Sequence, residues 1–286
     1  MNWLIYHIAS GSAFFTGIAL TISALALALL PQRLANRFST LLYLIGVILI
    51  AISGTPLPYW YYGLAALVSL AWLAVADREK RKRLTVRLSV ACAIVWLVGV
   101  GMELPFHFQA KLEPTSHRTV TIFGDSVTAG YGENEAETWP NLLAKAHAIE
   151  IRDHSHMGAT AASALRLVRK NEIAPGVIII EIGGNDLLGS TQTADFARDL
   201  DALLGELASP ERQLVMFELP LPPFKNEWGQ AQRRLAKRHG VHLIPKRVFM
   251  RVLTADSATL DSIHLSQRGQ DLMQENVWNV LKPAFD

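Results

Sequence analysis

Four uncharged runs dominate the first third of the chain. Leu4 to Leu30 holds no Asp, Glu, Lys or Arg, and the same is true of Phe38 to Ser53, Leu57 to Ala76 and Leu88 to Met102. Each is near the roughly 20 residues a helix needs to cross a bilayer. Trp3, Tyr6, Tyr59, Trp60, Tyr61 and Tyr62 stand near the ends of runs, where amphipathic rings favour the membrane–water interface. The pattern predicts a segment of four transmembrane helices over residues 1–104. A cleaved signal peptide fits less well, because Met1-Asn2 offers no basic start and Ala-Leu-Leu-Pro-Gln is a poor cleavage site. A buried helical core in a water-soluble domain also fits less well, because membrane-length runs recur in succession.

After a linker, residues 105–117, the pattern changes. Short apolar stretches now alternate with amphipathic ones. Strands are predicted at Thr119 to Phe123, Ile149 to Arg152, Gly176 to Ile182, Gln213 to Leu219 and Val241 to Ile244. Helices are predicted at Thr138 to Ala148, Thr160 to Asn171, Ala194 to Leu207, Asn226 to His239 and Gln267 to Leu281. Such alternation implies a mainly parallel sheet covered by helices on both faces, hence an α/β domain over 118–286. In such sheets ligands gather at the carboxyl ends of the strands.

Averages taken over the chain blur these two parts. The whole is 50% hydrophobic and 18% charged with a net charge of +2. Residues 1–110 carry eight basic and three acidic side chains, net +5, while the remainder carries nineteen and twenty-two, net −3. A total this small gives no footprint for nucleic acid. The basic residues of the first part sit in two connections: Arg33 and Arg37, then Arg78, Lys80, Arg81, Lys82, Arg83 and Arg87. Positive loops favour the cytoplasmic face, so both termini and the α/β domain are expected outside the bacterial cytoplasmic membrane. Cys92 is the single cysteine, which excludes an intramolecular disulfide and a cysteine-built metal site.

Four short motifs fall where an α/β sheet collects its chemistry. Gly124-Asp125-Ser126 follows the first strand, Asp153-His154-Ser155-His156-Met157-Gly158 ends the second, and Gly183-Gly184-Asn185-Asp186 follows the third. Asp261-Ser262-Ile263-His264 precedes the last helix. Ser126 is the candidate nucleophile, and a serine hydroxyl needs a base to remove its proton. His264 is the candidate base. Asp261, three residues earlier, is placed to accept from Nδ1 and fix the tautomer. The backbone N–H groups of Ser126 and Gly158 and the side-chain NH₂ of Asn185 are the candidate oxyanion donors. Asp125 and Asp186 read as hydrogen-bonding scaffolds, His7 and Cys92 as packing residues. Taken singly, each glycine-containing motif is also an ordinary turn. Asp153, His154 and His156 admit a metal site as a weaker alternative, since no second ligand cluster accompanies them.

Taken together, Ser126, Gly158, Asn185 and His264 resemble the four blocks of the SGNH (GDSL-type) hydrolases, in order, with Asp261 in the Asp-x-x-His block. The stretch Gly124 to Gly132, Gly183 to Asp186 and Phe217-Glu218-Leu219-Pro220 are similar to the bacterial periplasmic thioesterase/lysophospholipase/arylesterase branch. Val127 replaces the usual Leu, and Asp153-His154-Ser155-His156 stands where that family often has Asn and small residues. The resemblance implies a flavodoxin-like three-layer α/β/α fold and a serine esterase needing no metal or cofactor. With the membrane segment, it implies a multi-pass protein of the bacterial inner membrane whose periplasmic domain cleaves acyl esters or thioesters, lysophospholipids or other lipid-derived esters first. Two alternatives stand beside it: an esterase removing O-acyl groups from cell-surface polysaccharide or peptidoglycan, and a non-catalytic membrane assembly protein with a degenerate hydrolase domain.

Overall fold

The computed structural model describes residues 3–30, 33–75, 82–109, 111–132 and 137–286, with the backbone alone at 33–36. The chain divides into two compact units. One comprises His7–His107 with Leu221–Asn226, the other Met1–Tyr6, Phe108–Pro220 and Glu227–Asp286.

The first unit is helical: α1 (Trp3–Ala9, beginning in the other unit), α2 (Ser12–Leu27), α3 (Arg33–Ile52), α4 (Tyr59–Leu73) and α5 (Lys82–Glu103), closed by a 3-10 turn at Leu104–His107. The first apolar run is therefore two helices rather than one. Gly11 takes φ 82° as the cap of α2, and the pair is bent by 84° at the break. An uncharged run carries no signal for such a bend beyond one permissive glycine. Among the described residues, Lys82–His107 is the one unbroken helical stretch both long and apolar enough to cross a membrane. The bent pair passes the same test as a unit, and Arg37–Ile52 is apolar but shorter. Arg78, Lys80 and Arg81 lie outside the described residues. Inside the unit, α2 and α3 approach at Gly17 and Gly46, where a Cβ on Gly17 would stand 2.6 Å from the Gly46 carbonyl oxygen. Polar side chains are paired within it: Tyr43 Oη donates to Ser69 Oγ at 2.6 Å and Trp72 Nε1 to Ser89 Oγ at 2.9 Å. The outward positions are large and apolar, among them Leu41, Ile48, Leu67, Leu70, Val90 and Ile94.

The second unit is the expected α/β domain. Five parallel strands, β1 (Thr119–Gly124), β2 (Glu150–Asp153), β3 (Gly176–Glu181), β4 (Arg212–Phe217) and β5 (His242–Ile244), lie in the order β2-β1-β3-β4-β5. This is the flavodoxin-like order, with its topological switch point between β1 and β3. Strand β3 is buried on both faces, which is why it reads as an unbroken Val-Ile-Ile-Ile run. Val120, Ile122, Val177, Ile179, Val215 and Phe217 face one side. They pack against Trp139 and Leu143 of α7 (Trp139–His147), Val248, Phe249 and Val252 of α12 (Lys246–Leu253), and Met273, Val277 and Leu281 of α13 (Gln267–Phe285). The opposite layer contains α8 (Ala161–Lys170), α10 (Thr193–Leu207) and α11 (Asn226–His239). Leu200, Leu203 and Leu204 of α10 are wholly buried, and Phe196 meets Trp228 at 4.9 Å. Two short helices, α6 (Ser126–Ala129) and α9 (Gly184–Leu188), follow β1 and β3.

Two elements depart from the expected pattern. Helix α12 is unforeseen because its Val-Phe-Met-Arg-Val sequence is β-branched and aromatic over only eight residues; tertiary packing of one face decides. Helix α13 runs past Pro283, where a stop was expected. A proline there frees the carbonyl four residues back, and Gln109 Nε2 donates to that Asn279 oxygen at 3.0 Å. Part of the expected linker is docked: Leu112 is buried in the core, and Glu113 exchanges two 2.7 Å hydrogen bonds with the Gln213 side chain.

Candidate active site

Strands β1 and β3 deliver their following turns side by side at the switch point. After β1, Asp125 caps the short helix α6, its Oδ1 accepting from Val127 N–H at 2.9 Å, and Ser126 opens that helix. Ser126 is 8% exposed. After β3, Gly183 adopts φ 119°, and Gly184 lies so close to Asp125 that a Cβ there would stand 3.1 Å from Oδ2. The missing side chain lets Asn185 reach the same carboxylate. Asn185 Nδ2 donates to Asp125 Oδ2 at 3.1 Å and to the Ala159 carbonyl oxygen at 3.0 Å. Asp125 thus ties the nucleophile turn to the asparagine turn.

The second block runs alongside. His154 N–H donates to Ile122 O at 2.9 Å and His156 N–H to Gly124 O at 3.2 Å, continuing the β1 pairing beyond β2. Gly158 takes φ 73° and Ala159 N–H closes the turn on His156 O at 3.2 Å. Asp186, 2% exposed, accepts from Ala161 N–H at 2.9 Å and holds the start of α8. Burial raises its carboxyl above the usual range. Both aspartates therefore act as the scaffolds expected of them.

The fourth block makes its own pair. Asp261 Oδ2 lies 2.7 Å from His264 Nδ1, while Oδ1 accepts from the N–H groups of Ile263 at 3.1 Å and His264 at 2.9 Å. Ser262, with φ 89°, supplies the tight bend. The hydrogen bond from His264 N–H, then that from the ring, then that from Ile263 N–H hold the Asp261 carboxyl down at about 2. Asp261 stays ionised wherever an imidazole titrates. With Nδ1 on Asp261, the Nε2 nitrogen of His264 is the one left for a proton from outside. Tyr131 lies against the ring, centroids 4.8 Å apart.

The structure thus joins Asp261 to His264 and Asn185 to the turn that carries Ser126. It forms no hydrogen bond between Ser126 Oγ and His264 among the described residues; such contacts often close only when substrate binds. The N–H groups of Ser126 and Gly158 make no hydrogen bond among the described residues, as oxyanion donors require. Asn185 differs from its simplest expectation, since both hydrogens of its amide are engaged by Asp125 and Ala159. To serve an oxyanion it must share or release one of them. No group of three or more His, Cys, Asp or Glu that could hold a metal occurs among the described residues. The His154 ring is stacked on Phe123 at 5.2 Å, and Asp153 Oδ1 accepts from Ser155 N–H at 2.9 Å.

One residue of the site carried no role in the sequence reading. Glu181, the last residue of β3 and 4% exposed, accepts on Oε2 from Asp125 N–H at 3.2 Å and from Thr128 Oγ1 at 2.9 Å. Burial, and next the Asp125 charge, push its carboxyl well above the usual range. The available signal was an acid placed inside an otherwise apolar strand, Val-Ile-Ile-Ile-Glu-Ile.

Comparison with known proteins places this geometry in a family. The model of the GDSL-like Lipase/Acylhydrolase family matches residues 122–272, a span holding every residue of the candidate site. Esterase TesA of Pseudomonas aeruginosa is 26% identical over 182 residues, 59% of this chain and 90% of that protein. The protein of Escherichia coli K12 named thioesterase 1/protease 1/lysophospholipase L1 is 25% identical over 199 residues, covering 64% and 94%. The crystal structure of TesA superposes with a TM-score of 0.51 at 25% identity, over 58% of this chain and 98% of that one. The chain belongs to the GDSL-like Lipase/Acylhydrolase family, and is a serine ester hydrolase.

Proposed function

We propose that this protein is a membrane-anchored esterase acting on acyl esters or thioesters near a lipid surface, with lysophospholipids and similar lipid-derived esters as the favoured class. The observation that carries the catalytic part is the Asp261–His264 pair, 2.7 Å apart, with the His264 ring against Tyr131, five residues after Ser126. In this reading His264 takes the Ser126 proton through Nε2, and Ser126 Oγ attacks the acyl carbonyl. Backbone N–H groups of Ser126 and Gly158, with Asn185, receive the negative oxygen. The imidazolium then protonates the leaving alcohol or thiol. Water, activated by the same histidine, releases the acid from the acyl-serine.

Support for the membrane part is the outward-facing Leu, Ile and Val of α3, α4 and α5, where a water-soluble bundle would place polar side chains. The length and apolarity of Lys82–His107 point the same way. The preference for lipid esters rests on that setting and on the lysophospholipase and thioesterase names of a relative.

A panel of lysophospholipid, acyl thioester and O-acetylated glycan, hydrolysed by wild type and by Ser126→Ala, tests both parts. The expected result is loss of all turnover in the variant and a lysophospholipid rate above the glycan rate. Undiminished turnover in Ser126→Ala sinks the mechanism. For orientation, a phosphatase reporter fused after Asp286 is expected to be active outside the cytoplasm; a silent one reverses the topology.

A further inference from the structure

The His154–Ser155–His156 segment, which departs from the family pattern, borders a cavity beside the nucleophile turn. The cavity has a volume of about 380 Å³, and its far wall is one face of α8, where Ser163, Arg166 and Lys170 recur at helical spacing. Arg166, Lys170, His154 and His156 thus line one space together with Leu167, and no carboxylate is among the residues lining it.

The pairing of these groups sharpens the reading. Arg169, on the same helix but outside the cavity, is satisfied by Glu206 at 3.0 Å. Arg166 and Lys170 have no carboxylate partner among the described residues. Asp153, the nearest acid in sequence, is turned onto Ser155 N–H. Ser155 Oγ is shielded from water and faces Gly124, where a Cβ would stand 2.9 Å from it, so it is turned away from the cavity. Ser163 Oγ is tied to Thr160 at 2.9 and 3.0 Å. The site has positive charge at its wall and no carboxylate of its own to balance it.

We propose that this cavity binds a phosphate group carried by the ester substrate. Guanidinium, ammonium and imidazole together match a tetrahedral anion with several acceptor oxygens, which Arg166 can engage through two N–H groups. The placement relative to the reaction fits. His156 is hydrogen-bonded to Gly124, two residues before Ser126, and lies two residues before Gly158. A phosphate seated there lies across the turn, closed by Ala159 N–H on His156 O, from the Gly158 N–H. An acylated glycerol phosphate, with only a few bonds between its ester and its phosphorus, spans that gap. This deepens the esterase reading and rests on Ser126 being its nucleophile.

The test uses the full chain, with 1-acyl glycerol 3-phosphate and the matching monoacylglycerol, which differ by the phosphate alone, and p-nitrophenyl acetate as a control. The wild type is expected to favour the phosphorylated ester in kcat/KM by roughly ten- to a hundred-fold, the worth of one charge-assisted hydrogen bond. Arg166→Gln with Lys170→Gln is expected to erase that preference and leave monoacylglycerol and p-nitrophenyl acetate turnover unchanged. Phosphorus NMR line broadening of inorganic phosphate and of glycerol 3-phosphate reads the site without catalysis, and separates a free anion from one borne on glycerol. Broadening in wild type and its loss in the double variant support the site even if no ester is cleaved, an outcome that would count against the esterase reading instead. Equal turnover of the two acyl esters in both proteins, or equal broadening in both, overturns the proposal.

Discussion

Replacing Glu181 tests whether its buried carboxyl works as a neutral acid. Both of the hydrogen bonds it accepts fall on one oxygen, Oε2, from Asp125 N–H at 3.2 Å and Thr128 Oγ1 at 2.9 Å. Burial, and next the neighbouring Asp125 charge, favour the neutral form of this carboxyl and raise it well above the usual range. An amide reproduces this arrangement, with one oxygen to accept both bonds and an NH₂ to donate toward Asp125. Glu181→Gln is therefore expected to cost less than about 1 kcal/mol. Glu181→Leu leaves two buried donors without an acceptor, at about 1–3 kcal/mol each, so roughly 2–6 kcal/mol in all. That is a large share of the roughly 5–15 kcal/mol that holds a typical domain together.

The pH dependence has a definite sign. Because the folded-state value is raised, the stabilisation is complete below the ordinary value of 4.5 and is lost as pH climbs toward the folded value. The slope in that window is at most about 1.4 kcal/mol per pH unit. Glutamine has no proton to lose, so its slope is shallower. Residual ester hydrolysis after heating across a pH series, with circular dichroism of the same samples, measures all three proteins. The reasoning fails if Gln is as damaging as Leu, or if Gln keeps the wild-type slope.

If Asn185 is the oxyanion donor proposed above, Asn185→Ala, which also removes an anchor of Ala159, is expected to lower kcat by roughly 10²–10³-fold with little change in KM; a fall confined to KM would contradict it. Asp261→Asn is expected to lower kcat by roughly a hundred-fold or more, because the imidazole loses the charge that fixes its tautomer. Since wild-type Asp261 keeps its charge down to about pH 2, the acid limb of the wild-type rate profile should follow one ionisation; a second, carboxylate-like step would refute this. Any stability Asp261 lends is present above pH 3.8 and fades as pH falls toward 2, and its exposure to water keeps that contribution small. Arg233→Met strands Glu218, which is 1% exposed and 2.6 Å from the guanidinium, and should cost about 3–5 kcal/mol in thermal unfolding, much of it recovered by adding Glu218→Gln.

The α/β half was legible because its pattern is local. Strand β3 announces itself as an apolar run, and three of the four chemical blocks lie at the end of a strand, so the convergence of those three at one sheet edge follows from topology. Less legible was everything set by three-dimensional pairing. That Asp125 would clasp Asn185, 60 positions on, or that Glu181, 56 positions on, would sit beneath it, depends on β1 and β3 pairing side by side. The bend at Gly11 was hidden because uniformly apolar sequence gives no periodic contrast from which to read a break. Helix α12 was hidden because eight residues of strand-forming type become helical through burial of Val248, Phe249 and Val252. The continuation of α13 past Pro283 required Gln109, a residue 170 positions away.

That last staple has a further consequence. Thr115 N–H donates to Ala284 O at 2.9 Å, and the Arg118 guanidinium lies over the Phe285 ring at 5.8 Å, so the segment leading into β1 and the last turn of α13 meet at one place. Arg118 precedes the amino end of β1, whereas the Ser126 turn leaves its carboxyl end. Entry and exit therefore share the pole opposite the catalytic edge. A short bridge from Asp286 back to Lys111, with new ends cut in an exposed loop, therefore asks no change of the Ser126 turn.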